Sequence, residues 1–83
     1  MMLTFFGAFW CPHCQTQKNM FGGSFKNVNY VECSLPDKSQ TQICIDEDIA
    51  TYPTWELKDG SRVTGVQSIE SLSVLSGCSL GDE

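Results

Sequence analysis

The chain has 83 residues, of which 41% are hydrophobic and 11% aromatic, and a net charge of −5 at pH 7. Its 5 basic residues are scattered and form no phosphate-binding stripe, which excludes a nucleic-acid partner. No apolar run reaches the roughly 18 residues of a membrane span, and the apolar content argues against disorder.

Residues 1–83 are expected to form one small monomeric domain. A chain this short buries only about 60–65% of its unfolded surface, so its stability should be modest unless something staples it.

Residues 2–9, Met-Leu-Thr-Phe-Phe-Gly-Ala-Phe, are an apolar run without strict alternation, as suits a strand buried on both faces. Pro12 belongs at the first position of a helix, where its missing N–H is no loss. That helix is expected over Pro12–Phe21, stopped by a left-handed cap at Gly22-Gly23, with Met20, Phe21 and Phe25 giving it an apolar end.

A second strand covers Asn27–Cys33, with Val28, Tyr30 and Glu32 on one face and Asn29, Val31 and Cys33 on the other. Leu35-Pro36-Asp37 breaks it. Ser39 or Asp37 then caps a helix over about 40–48, carrying Ile43, Cys44 and Ile45, with Ile49 packed where it ends.

Pro53–Lys58 reads as a third strand, Asp59-Gly60 as a two-residue hairpin turn, and Ser61–Gly65 as the returning strand. Ser68 caps a last helix to about Ser76, with Ile69, Leu72, Val74 and Leu75 mostly inward, and Gly77 stops it. The order β-α-β-α-β-β-α predicts an α/β fold. It has a four-stranded mixed sheet, the first two strands parallel and the hairpin antiparallel, with helices on both faces.

The chemistry is concentrated in Cys11-Pro12-His13-Cys14. Two thiols three positions apart at a helix start are close enough to bridge, which makes a redox-active disulfide with no further cofactor. The first cysteine sits where free backbone N–H groups and the helix dipole favour negative charge. Cys11 is therefore expected to have the lowered pKa and to be the nucleophile, and Cys14, one turn in on the buried side, the resolving thiol. His13 can turn its imidazole toward the Cys11 sulfur. When protonated it would stabilise the thiolate and make the disulfide more oxidising.

Zinc is not expected, because there is no second C-x-x-C and the single histidine lies inside the loop. A c-type haem would need histidine directly after Cys14, where Gln15 stands. In Tyr52-Pro53-Thr54, a proline opening a strand suggests that the strand edge is used. With a cis Tyr52–Pro53 bond, the Tyr52 backbone would face the disulfide and pair with an extended substrate segment.

Of the 5 cysteines, Cys33, Cys44 and Cys78 remain, enough for one bridge and one leftover thiol. A bridge between Cys33 and Cys44 would close about a dozen residues, worth on the order of 2–3 kcal/mol in the chain-entropy model. A structural role fits such a bridge better than a second redox relay. So many cysteines lean toward an oxidising compartment. The start, Met1-Met2-Leu3-Thr4, lacks the features of a signal peptide. The chain as written is expected to be cytoplasmic, and as a domain of a longer protein, extracytoplasmic, in periplasm or lumen.

Trp10-Cys11-Pro12-His13-Cys14, Tyr52-Pro53-Thr54, Gly65 and the strand-helix order together resemble the thioredoxin superfamily over nearly the whole chain, in its minimal, glutaredoxin-sized form. A further set is similar to the thioredoxin-like domain of bacterial and plant vitamin K epoxide reductase homologues. It comprises Gln15, Lys18 and Phe21-Gly22, then Tyr30-Val31-Glu32-Cys33, Gln42 and Cys44, then Trp55-Glu56 and Ser76-Gly77-Cys78. The resemblance implies a shuttling pair at Cys11 and Cys14, a second disulfide Cys33–Cys44, and substrate contacts at Trp10, Tyr52, Pro53 and Thr54. It also implies a membrane quinone reductase of four helices as partner, to which electrons from folding proteins are passed; here that partner would be a separate chain.

The buried aspartate that many thioredoxins carry six positions before the first cysteine is Phe5 here, leaving Glu32 as the substitute proton acceptor near Cys14. Thr64-Gly65-Val66 stands where glutathione contacts would lie, so glutathione is not expected as a partner. Three functions follow. The first is an oxidising thiol-disulfide oxidoreductase acting on protein thiols. The second is a thioredoxin- or glutaredoxin-type reductase. The third is a binding module merely stapled by its cysteines.

Overall fold

The computed structural model describes residues 3–76. In chain order these form β1 (Thr4–Gly7), α1 (Pro12–Phe21), a 3₁₀ segment (Gly22–Asn27), β2 (Asn29–Glu32), α2 (Gln42–Asp46), β3 (Thr54–Glu56), β4 (Arg62–Thr64) and α3 (Ile69–Ser76). The expected α/β architecture is present. The sheet runs β2-β1-β3-β4, with β1 parallel to β2 (Thr4 opposite Asn29) and antiparallel to β3 (Phe5 opposite Trp55), and β3 antiparallel to β4 (Trp55 opposite Val63).

Successive side chains of a strand point to opposite faces. On β1 this sends Phe5 into one layer and Phe6 into the other. The first layer joins Leu3, Phe5, Cys14, Phe21, Trp55 and Leu72, and so lies between the sheet and the helices α1 and α3. Phe5 meets Trp55 edge-on at 4.7 Å between ring centroids, and Phe21 stacks on Trp55 at 5.6 Å. The second layer joins Phe6, Cys33, Cys44 and Ile49 under α2. Because β1 has no solvent face, its sequence has no apolar-polar alternation. On β2 the expected division holds: Val28 and Tyr30 pack on the first layer, Val31 and Cys33 on the second.

Several local details differ from the sequence expectation. α2 is a short helix, because neither Ser39 nor Asp37 caps it. Asp37 Oδ1 instead accepts from the backbone N–H and hydroxyl of Ser39 (3.0 and 2.6 Å), closing its own turn, and Thr41 takes the cap position without a side-chain bond to the helix, its hydroxyl donating to Glu32 O instead. Cys44 faces inward, while Ile43 and Ile45 are exposed.

The hairpin loop spans three residues, Lys58–Gly60. Gly60 N–H bonds to Leu57 O and Leu57 N–H to Ser61 O, and Gly60 takes φ 89°, a conformation that costs glycine little. Ser68 does cap α3, its Oγ accepting from Ser71 N–H at 3.0 Å, and Leu72 is buried, but Val74 points to solvent. α1 stops at Gly22, whose φ is positive, and the chain continues in the 3₁₀ segment. The expectations for Leu75, Gly77 and Cys78 concern side chains or residues outside those described.

Candidate active site

The end of β1 turns through Ala8, Phe9 and Trp10 into α1, closed by the Cys11 N–H to Ala8 O bond of 3.1 Å. Cys11 is the residue that caps α1. Its backbone is extended (φ −83°, ψ 118°), Pro12 follows in the first turn, and its Sγ accepts the Cys14 N–H at 3.3 Å. The sulfur thus does what a serine or aspartate oxygen does at other helix starts: it takes one of the amides left without a partner there. The same contact places the two sulfur-bearing residues against each other, and both are free thiols.

Both thiols are buried, but not equally: Cys11 keeps 4% of its surface exposed and Cys14 none. Burial pushes the Cys14 thiol up to about 12; the hydrogen bond and charge of Cys11 add to this, while a backbone bond from Ala8 and the Lys18 ammonium act the other way. Cys14 is therefore held protonated at neutral pH, and what little surface the pair keeps belongs to Cys11.

Tyr52-Pro53-Thr54 comes up beside the thiols. The Tyr52–Pro53 bond is cis, the Cys11 thiol points at the Tyr52 carbonyl from 3.9 Å, and the Tyr52 ring meets Trp10 edge-on at 5.9 Å. Thr54 is buried and donates its hydroxyl to Thr51 O at 2.7 Å, so it braces the loop from inside. Trp10 donates its indole N–H to Ser34 Oγ at 2.7 Å and leaves its ring 39% exposed, next to an exposed Phe9. The His13 side chain is exposed and is not among the groups that hydrogen-bond to the thiols. Trp10, Cys11, Cys14, Tyr52 and Pro53 thus converge, while His13 stands outside the convergence.

Cys33 and Cys44 are joined by a disulfide with their Cα atoms 5.5 Å apart. It lies in the second layer, under the face of the sheet opposite to the thiol pair. Among the described residues, no three His, Cys, Asp or Glu side chains gather as a metal site would require, and no helix is long and apolar enough to cross a membrane.

Two residues matter more than their sequence positions announced. Gln17 is fully buried on α1. Its Oε1 accepts from Gln67 N–H (2.7 Å) and the Trp55 indole (3.1 Å), and its Nε2 donates to Gln67 O (2.9 Å). The spacing Cys14, Gln17, Phe21 marks the buried stripe of α1 and was the available signal. Glu32 is the second. Its carboxylate takes the backbone N–H of Phe9 (3.0 Å) and of Ser34 (3.1 Å) and the Tyr30 hydroxyl (2.6 Å). It holds the approach to the thiols, and none of these bonds goes to Cys14.

No protein-family model matches the chain. Over 81 residues it is 43% identical to the thiol-disulfide oxidoreductase LTO1 of Arabidopsis thaliana, an alignment covering 90% of this chain and 21% of that protein. The chain therefore spans about a fifth of that relative's length. Among solved structures, the thioredoxin of Malassezia sympodialis (Mala s 13) is similar with a TM-score of 0.61 at 22% identity, over 94% of this chain and 74% of that one. Together with the sheet order and the helix on each face, that likeness establishes a thioredoxin-like α/β fold.

Proposed function

We propose that this chain is a thiol-disulfide oxidoreductase domain that exchanges disulfides with protein thiols through Cys11 and Cys14, in the oxidising direction. The observation that carries the reading is the cap of α1: the Cys11 sulfur accepts the Cys14 N–H there at 3.3 Å, which sets the two free thiols side by side at the helix start, as disulfide exchange requires. In the disulfide form, a substrate thiolate attacks Cys11 Sγ, breaking the Cys11–Cys14 bond and leaving Cys14 to take up a proton. A second thiolate of the substrate then attacks its own sulfur bound to Cys11. This forms the substrate disulfide and releases reduced Cys11.

The raised pKa of Cys14 acts on both halves of the exchange. It makes Cys14 a slow leaving group in the first attack and a poor attacking group on the mixed disulfide, which leaves that to the substrate's second thiol. Exposed Phe9 and Trp10, with the Tyr52 backbone, form the surface on which an extended segment would lie. The reduced pair then needs an electron acceptor. By the resemblance to vitamin K epoxide reductase homologues, that is a membrane quinone reductase.

The test is the reduction potential of Cys11–Cys14, with Cys11→Ser as control. The proposal expects a value well above the roughly −270 mV of thioredoxin, and no exchange from the variant. A potential at the thioredoxin value would instead leave a thioredoxin- or glutaredoxin-type reductase. Undiminished exchange by Cys11→Ser would remove both enzymatic readings and leave a stapled binding module.

A further inference from the structure

The first turn of the approach to Cys11 is held from outside its own segment. Phe9 N–H, two residues before the thiol, is bonded to Glu32 Oε2. The same oxygen takes Ser34 N–H, and Ser34 Oγ in turn receives the Trp10 indole. The other oxygen, Oε1, takes the Tyr30 hydroxyl, and the Tyr30 ring lies under the Lys18 ammonium at 4.3 Å. One carboxylate at the end of β2 thus ties the β1–α1 loop, the turn after β2 and, through Tyr30, a side chain of α1. Glu32 sits opposite Gly7 in the parallel ladder, so the tie acts at the last paired residue before the loop.

We propose that Glu32 is a positioning residue for the exchange reaction, holding Phe9 and Trp10 in the place that lets Cys11 meet a partner sulfur. This rests on the reading of Cys11 as the attacked sulfur. Three donors already occupy the carboxylate, so its role is geometric and differs from the proton acceptor near Cys14 expected from the sequence. A carboxylate suits such a clamp because hydrogen bonds to an ionised acceptor are stronger than bonds to a neutral amide, whose nitrogen would also turn a donor toward the Tyr30 hydroxyl.

The experiment compares Glu32→Gln and Tyr30→Phe with the unchanged chain. Under conditions where all are folded and Cys33–Cys44 is intact, three quantities are read. These are hydrogen exchange at the Phe9 amide, the Trp10 indole N–H resonance, and kcat/KM for oxidation of a dithiol peptide.

Glu32→Gln is expected to speed exchange at Phe9, shift the Trp10 signal and lower kcat/KM on the order of ten-fold, as for a slightly misplaced reacting group. Tyr30→Phe, which removes one of the three donors, should move all three in the same direction by less, and it carries the test should Glu32→Gln fail to fold. Alkylation of Cys11 at neutral pH separates geometry from charge. If Glu32 acted only through its negative charge, neutralising it would favour the thiolate and speed alkylation and oxidation, and that result would overturn the proposal. Unchanged Phe9 exchange and an unchanged Trp10 signal would overturn it as well. If the unchanged chain oxidises no peptide, it is the reading of the function that has failed, and the two spectroscopic quantities still decide whether the clamp exists.

Discussion

Gly7 lies directly beneath Cys14: a methyl group on its Cα would stand 3.1 Å from Cys14 Sγ and 2.7 Å from the Phe5 ring. The strand and the helix approach so closely here that the only side chain β1 can carry at this position is a hydrogen atom. Gly7→Ala should therefore push Cys14 off its seat, because the buried Phe5 ring cannot yield. A loss of about 1–3 kcal/mol is expected, as for other overpacked sites. It would be read from a denaturant melt, together with a changed rate of Cys11–Cys14 closure. An alanine variant as stable as the parent would show that the two elements are looser than described.

Gln17→Ala should be among the most damaging single changes that leave both thiols in place. It strips partners from the Trp55 indole and from both backbone groups of Gln67. One unsatisfied buried group costs about 1–3 kcal/mol, so a loss of several kcal/mol is expected in urea unfolding. Gln17→Leu, which refills the volume but not the hydrogen bonds, should recover little of it. Full recovery by leucine would mean that packing alone holds α1 here.

Removing the second disulfide with Cys33→Ser and Cys44→Ser should cost on the order of 3 kcal/mol, since the bridge closes a loop with a sequence separation of 11. Because Ser34 lies inside that loop and receives the Trp10 indole, Trp10 fluorescence should change in the double variant before global unfolding begins. Coincident transitions would contradict that link.

The reduced protein should lose stability in alkali. The Cys14 thiol is raised from 9.0 to about 12, first by burial and then by its bond to Cys11. The Tyr30 phenol is raised above 10.0, first by burial and then by its bond to Glu32. A folded-state pKa above the unfolded one means that the unfolded chain gives up its proton first. The contribution is complete below about pH 9 and is lost as pH climbs from there toward 12. Melting temperature should fall across that window, and Cys14→Ser should flatten the part of the decline that belongs to the thiol. A decline on the acid side instead would assign the linkage to other groups.

His13→Ala tests the direction of electron flow. If protonated His13 favours the thiolate, its removal makes the pair less oxidising, read as a lower reduction potential with unchanged stability. The exposure of His13 is why stability should not move.

Much of this was legible in the chain. The Pro12–Phe21 helix and the burial of β1 on both faces follow from proline placement and from an apolar run that lacks alternation. What was not legible depends on partners far away in sequence. Glu32 reads as a substitute proton acceptor near Cys14, and its role as a clamp shows only when Phe9, 23 positions earlier, supplies its N–H. Gln17 meets Gln67 across 50 positions. The three-residue hairpin and the uncapped α2 were lost to short-range competition, in which aspartates satisfied their own turns (Asp37 with Ser39, Asp59 with Ser61) rather than a neighbouring element.

Phe5 and Phe6 together leave β1 without a free side, and four of the six residues that follow the buried Gly7 and Ala8, namely Phe9, Trp10, Pro12 and His13, look outward. The scaffold and its reactivity are thus written in separate letters. A change within the strand jeopardises both layers, whereas the outward four can vary with little penalty to folding. Natural or laboratory diversification of the redox properties should therefore gather at those four positions.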